Sequence, residues 1–211
     1  MPIRPTLPAA LCALMLCAAP AAAETPEWLR YPAISPDGTQ VAFAWQGQIW
    51  VVPAEGGEAT PLTSATAYSK APVWSPDGTR IAFASSPHGN SDVFVMEVAG
   101  GEARRLTFHS ASDLPMAFSP DGSEVWFASN RLGDPVASGD DAVHGIGPLI
   151  AAPHAVPVEG GRVRRLWSTA ALEIAPDAEG RRILYADDAG PLEDQWRKHQ
   201  VSAAAQDVWL V

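Results

Sequence analysis

One segment recurs along this chain, and its recurrence limits the available folds more than any other feature. The stretch Pro32–Ala44 returns as Pro72–Ala84 and again as Pro115–Ala128, each copy built around Ser-Pro-Asp-Gly: Ser35-Pro36-Asp37-Gly38, Ser75-Pro76-Asp77-Gly78 and Ser119-Pro120-Asp121-Gly122. A degenerate fourth copy covers Ile174–Ala186. The prolines at 36, 76, 120 and 176 space the copies 40, 44 and 56 residues apart. Self-similarity at about 40–45 residues is the period of propeller blades, whereas most solenoid repeats are shorter or helical.

Each copy reads as a β-hairpin. Proline presets φ at the second position of a turn, aspartate holds the turn with its own carboxylate, and glycine takes the left-handed position that closes it. Apolar strand-forming residues flank the turn on both sides. A second hairpin signal follows at similar distance. Gln48–Pro53 leads through Gly56-Gly57 to Leu62-Thr63, Asp92–Met96 through Gly100-Gly101 to Leu106-Thr107, and Val156–Val158 through Gly160-Gly161 to Arg165-Leu166. A Gly-Gly between apolar runs marks a tight turn. Two hairpins in series give four short strands, the make-up of a propeller blade.

The expected fold is therefore all-β: an incomplete β-propeller of four-stranded antiparallel blades, at about 29–63, 70–107, 113–167 and 170–211. Three blades read as full and the fourth as partial. Asp207-Val208-Trp209-Leu210-Val211 matches a third strand, and no further Gly-Gly hairpin follows it. That ending suggests the N-terminal piece of a longer protein, with an open edge and an exposed blade face prone to association.

Composition fits this reading. With 47% hydrophobic and 18% charged residues, the 211-residue chain is not a disordered acidic protein. Its 20 prolines and 17 glycines argue against a helical bundle. A net charge of -10 disfavours nucleic acid as a partner, because a phosphate backbone calls for a basic surface.

The first 23 residues read as a cleavable signal peptide, leaving residues 24–211 as the mature propeller region. Arg4 supplies the basic start, Ala9–Ala19 the short apolar core, and Ala21-Ala22-Ala23 the small residues before Glu24. The core is well short of the roughly 20 residues that a bilayer span needs, so no membrane span is expected. Leu16 before Cys17 argues against lipid attachment. Cys12 and Cys17, the only cysteines, leave with the leader, and loss of Arg4 takes the net charge to -11. The mature protein is expected to be periplasmic or secreted and to hold together without disulfides.

The Ser-Pro-Asp-Gly and Gly-Gly…Leu-Thr repeats resemble those of TolB and of tricorn-type proteases. Leu29–Gly38 beginning a blade soon after the leader, Arg105–Ser110 followed by Ser119–Gly122, and Trp196–Ser202 with Asp207–Leu210 favour the tricorn family. The resemblance implies a large serine peptidase whose N-terminal propeller admits or filters peptides for a separate catalytic domain. It implies peptides or unfolded proteins as partners, together with domains or chains that complete the propeller. This sequence carries none of that catalytic domain, so no catalytic residue is assigned, and whether the chain belongs to an enzyme rests on the family alone. The alternative is a TolB-like periplasmic protein-binding propeller. Such a protein would carry an α/β domain ahead of its repeats, whereas here they start soon after Ala23. A prolyl-oligopeptidase-like hydrolase is a third reading and also needs a catalytic domain.

Two departures from the repeat stand out. The third copy has Ile150–Ala155 where an aromatic third strand is expected, and Pro153 and Pro157 are expected to weaken its pairing. The fourth copy, aligned on Pro176, has a turn two residues longer than the others.

Catalytic motifs are missing: there is no Gly-x-Ser-x-Gly elbow, His-Glu-x-x-His or phosphate-binding glycine loop. His88, His109, His144, His154 and His199 lack metal-ligand spacing, and no cofactor or metal is expected. Asp134, Asp140 and Asp141 give the segment 131–147 a weak calcium-loop character without regular ligand spacing. His109, Ser110 and Asp113 are triad residue types, but closeness in sequence does not supply triad geometry. Arg197-Lys198-His199 is a basic run in an acidic chain, read as a solvated loop or as contact with another domain. Trp50, Trp74, Trp126 and Trp209 sit in strand motifs and are read as blade packing. Substrate-binding residues stay unassigned.

Overall fold

A computed structural model describes residues 28–131, 151–167, 171, 173–188 and 206–210. Residues 1–23, expected to be a signal peptide, the aspartates of 132–147, His144 and the Arg197-Lys198-His199 run lie outside the described residues. The strands fall into four antiparallel sheets in strict chain order. The first holds β1 (Arg30–Ile34), β2 (Gln40–Trp45), β3 (Gln48–Pro53) and β4 (Thr60–Pro61). The second holds β5 (Ser69–Trp74), β6 (Arg80–Ser85), β7 (Asp92–Glu97) and β8 (Arg104–Arg105). The third holds β9 (Asp113–Phe118), β10 (Glu124–Ser129), β11 (Ala152–Pro157) and β12 (Arg164–Arg165). β13 (Glu173–Pro176), β14 (Ile183–Asp188) and β15 (Gln206–Leu210) make up the fourth. No helix occurs among the described residues. The sheets form an open arc of an incomplete β-propeller.

The Ser-Pro-Asp-Gly turns close as their chemistry requires. In the first, Ser35 Oγ donates to Asp37 Oδ1 at 2.6 Å and the Thr39 N–H donates to the same oxygen at 3.0 Å. The Gly38 N–H reaches Ser35 O at 2.9 Å with φ at +73°. The bonds recur at Ser75–Asp77–Thr79 and Ser119–Asp121–Ser123. A serine hydroxyl and then a backbone N–H favour the charged form, so the carboxyls of Asp77 and Asp121 fall to about 2.

The fourth turn corrects the alignment on Pro176. Pro176 pairs with Ile183 as the last residue of its strand, the place held by Ile34 opposite Val41. Asp177 takes the serine position: its N–H donates to Arg182 O at 2.9 Å, and the Gly180 N–H donates to Asp177 O at 3.0 Å. The turn is therefore the same length as the others. Asp177 also bonds the Arg181 N–H through Oδ1 at 2.7 Å, so one residue does the work of the serine and aspartate of earlier copies.

Neighbouring sheets pack large against small. Strand alternation puts Ala42 and Ala44 on one face of the first sheet, where they meet Ile81, Phe83, Phe94 and Met96 of the second. The opposite face of the second sheet, with Ala82, Val93 and Val95, meets Phe118, Val125, Phe127 and Val156 of the third. Trp126 and Ala155 then meet Ile174, Ile183 and Tyr185 of the fourth. Ile34 occupies the same repeat position as Phe118. It is 64% exposed, against 3% for Phe118, because among the described residues no sheet covers its side. The turns stack as well: a Cβ on Gly122 would meet Pro76 at 3.5 Å, and one on Gly180 would meet Pro120 at 3.0 Å.

The third sheet corrects the expectation for its prolines. β11 pairs with β10 over six consecutive residues, with Pro153 opposite Ala128 and Pro157 opposite Glu124. Pro157 stands where Pro53 stands in β3, opposite Gln40. Pro153 is matched by a second change. In the first two sheets the equivalent N–H, of Ile49 or Val93, donates to the hydroxyl of Thr63 or Thr107, at 2.9 and 3.0 Å. In the third sheet the donor is a proline and the threonine is Trp167, so donor and acceptor disappear together and neither is left orphaned.

His154 fills the aromatic slot that seemed empty. It pairs with Phe127 as Trp50 pairs with Phe43 and Phe94 with Phe83. Its ring stacks on Phe127 at 5.7 Å and is 2% exposed. Nδ1 lies 2.8 Å from Ala152 O, which can only accept, so Nδ1 carries the proton of the neutral ring. Nε2 is buried without a partner. Burial, opposed by the Ala152 bond, pushes the imidazole below its usual range; Arg131 and Arg165 add to the shift and Asp113 resists it.

Two consequences are measurable by urea unfolding. Asp121→Asn should cost about 1 kcal/mol at pH 7, the usual net worth of such bonds. Because the carboxyl is lower in the folded state, that stability is complete above about pH 4 and fades as the pH falls towards 2. An equal loss at pH 7 and at pH 3 would contradict the account. His154→Phe should stabilise the protein by about 1–2 kcal/mol at pH 7 by removing an orphaned buried acceptor. A depressed folded-state histidine makes the native protein lose stability below about pH 6.5, so the gain should widen between pH 7 and 5. A gain that stays constant over that range would rule out His154 as its source.

Candidate functional site

The first strands of the four sheets, β1, β5, β9 and β13, lie beside one another in that order around the hub of the arc. Each pairs on one side only, so its free edge carries unpaired backbone groups. They enclose an open cavity of about 450 Å³. The positions four residues before each turn's serine, or before Asp177, all reach it: Tyr31, Ala71, Pro115 and Glu173. Leu114, Met116, Ile174 and Leu184 are among the other apolar residues of its wall.

The inner strands are irregular where they line the cavity. Pairing slips between Arg30 and Ala33 in β1, between Lys70 and Val73 in β5, and opposite Trp126 and Phe127 in β9. Tyr31 and Ala71 take φ of 54° and 52°. A left-handed backbone costs a residue other than glycine about 1–2 kcal/mol, and each of these two is followed by a proline. Every inner strand contains one proline: Pro32, Pro72, Pro115 and Pro176. A proline at a free edge withholds an N–H from any approaching backbone. The wall is therefore apolar in its side chains and short of donors in its backbone. Among the described residues Glu173 is the only charged one that lines it, and none of them pairs with it by hydrogen bond or ion pair.

The triad residue types do not converge. The carboxylate of Asp113 is buried and bonded to Arg131 at 2.5 Å. His109 uses Nδ1 to accept the Ala111 N–H at 3.0 Å, and Ser110 is exposed. The segment is instead a clasp between the second and third sheets. Asn90 Nδ2 donates to His109 O at 2.9 Å and to Ala111 O at 3.1 Å, while the Asp113 N–H donates to Ser91 O at 2.7 Å. Arg105 pairs with buried Asp92 at 2.7 Å, and its guanidinium sits 4.6 Å from the centre of the exposed Phe108 ring.

The tryptophans of the strand motifs pack between and within sheets. Trp74 Nε1 donates across the joint to Ala33 O at 3.0 Å, Trp50 Nε1 donates to Trp45 O at 3.2 Å, and Trp126 is buried against the fourth sheet. The side chain of Trp209 lies outside the description. His88 is exposed in a loop, and among the described residues no group of three histidine, cysteine or acidic side chains could hold a metal. Sequence reasoning gave no cavity residue a binding role. Its available clue was the proline that opens each of the first three copies, Pro32, Pro72 and Pro115, which was read as part of the hairpin.

The family model described as the tricorn protease N-terminal beta propeller domain matches residues 26–211. Among solved structures, the crystal structure of the tricorn protease aligns with a TM-score of 0.64 at 18% identity, over 88% of this chain and 17% of that one. A putative TolB from Agrobacterium tumefaciens aligns at 0.59 and 23% identity, over 73% of this chain and 52% of that one. TolB from Acinetobacter baumannii aligns at 0.59 and 20% identity, over 87% and 40%. At these identities the likeness shows the fold alone, and the chain spans about half or less of each of these structures. No curated protein matches the chain.

Proposed function

Because the chain belongs to the tricorn protease N-terminal β-propeller domain family, we propose that it is a non-catalytic peptide-receiving domain of an exported serine peptidase. In this reading it admits or holds peptides for a catalytic unit that lies elsewhere. The observation that carries the reading is the hub cavity. It is concave, mostly apolar, and within the size range of small-ligand sites. Its wall comes from four inner strands held by packed sheets, which suits a site that positions a ligand without performing chemistry on it. Neither a metal nor a cofactor is required. Export rests on the sequence of residues 1–23, and the mature N-terminus found by sequencing the exported protein should be Glu24; an uncleaved cytoplasmic product would refute it.

The binding reading is tested with the purified chain and short fluorescent apolar peptides, followed by anisotropy. Saturable binding is expected. Ala175→Trp, which fills the cavity from an exposed position of its wall, should weaken it by at least about ten-fold. Binding that ignores this substitution, or no binding at all, would remove the cavity as the site. Peptide cleavage that a serine-directed inhibitor abolishes would overturn the non-catalytic part.

A further inference from the structure

Resting on the hub cavity as a peptide site, we propose that it selects cationic peptides: segments with apolar side chains plus a lysine, an arginine or a free α-amino group. The argument is one of donors and acceptors. Every residue of the inner strands carries a backbone carbonyl, whereas Pro32, Pro72 and Pro115 carry no N–H, so these strands hold more acceptors than donors. Glu173 adds a carboxylate, an acceptor only when ionised, and has no described partner of its own. An ammonium or guanidinium entering this wall exchanges water for a carboxylate and carbonyls. A peptide carboxylate would lose its water and find few donors to replace it, which is unfavourable.

Position and field support the same choice. Glu173 occupies the repeat position that Tyr31, Ala71 and Pro115 occupy in the other sheets, so its charge is set into the cavity wall. The cations nearest in sequence to the wall are Arg30 and Lys70, and neither lines the cavity. The Arg30 guanidinium lies 6.0 Å from the centre of the Trp28 ring. A chain of net charge -10 attracts cations from a distance, and a concave, low-dielectric wall concentrates that field.

The test compares three peptides identical except for one central residue, lysine, glutamine or glutamate, bound to the full chain at low salt. The lysine peptide should bind about ten-fold more tightly than the glutamate peptide, a modest attraction combined with a similar repulsion at an accessible carboxylate. The ratio should shrink as salt is raised. Glu173→Gln should bring it to about two-fold or less, and Glu173→Lys should reverse it. Residue 173 is exposed, so both variants should keep the parent unfolding curve. Equal binding of all three peptides by the parent protein would overturn the selectivity and leave the peptide site standing. A ratio that both position-173 variants leave untouched would overturn its assignment to Glu173 and likewise leave the peptide site standing. Binding of none would remove the site and this inference together.

Discussion

The packing of a large face on a small one between neighbouring sheets is the interaction on which everything else depends. Each sheet buries its faces against its neighbours, and beyond residues 1–23 the chain has no cysteine to staple it. Burying one large apolar side chain contributes about 1.5–3 kcal/mol, against about 1 for a typical hydrogen bond. Phe83 and Phe127 are nearly or wholly buried, and each presses on a face carrying alanines or valines. The faces therefore hold the arc together, while the turns set which residues point to which face.

The hub follows from that arrangement. Face-to-face packing fixes the sheets side by side, which brings their first strands together with free edges turned inward. An unprotected inner edge would be an invitation to strand addition. A proline on each inner strand and slipped pairing in three of them blunt it, at the expense of strained backbone at Tyr31 and Ala71. A wall built this way presents apolar side chains, backbone carbonyls and the carboxylate of Glu173.

The third sheet shows how the repeat tolerates change when changes come in pairs. Pro153 removes a donor exactly where Trp167 has replaced the threonine that would have accepted from it. His154 keeps an aromatic ring in the slot but leaves Nε2 orphaned. The first change is compensated; the second leaves a buried imidazole nitrogen without a described partner, in a ring whose pKa burial lowers.

The sequence alone determined the hairpins, their order and the blade-like grouping, because turn chemistry is local: a serine, an aspartate and a glycine within four residues suffice to close each of the first three turns. It left Pro176 misaligned, since a proline looks the same at a strand end as in a turn until its cross-strand partner, Ile183, is known. Pro153 was misread for the same reason: its effect depends on Trp167, across the sheet. The cavity was not legible at all. Tyr31, Ala71, Pro115 and Glu173 lie in four separate stretches of chain, and only the stacking of sheets on one another brings them to a common wall.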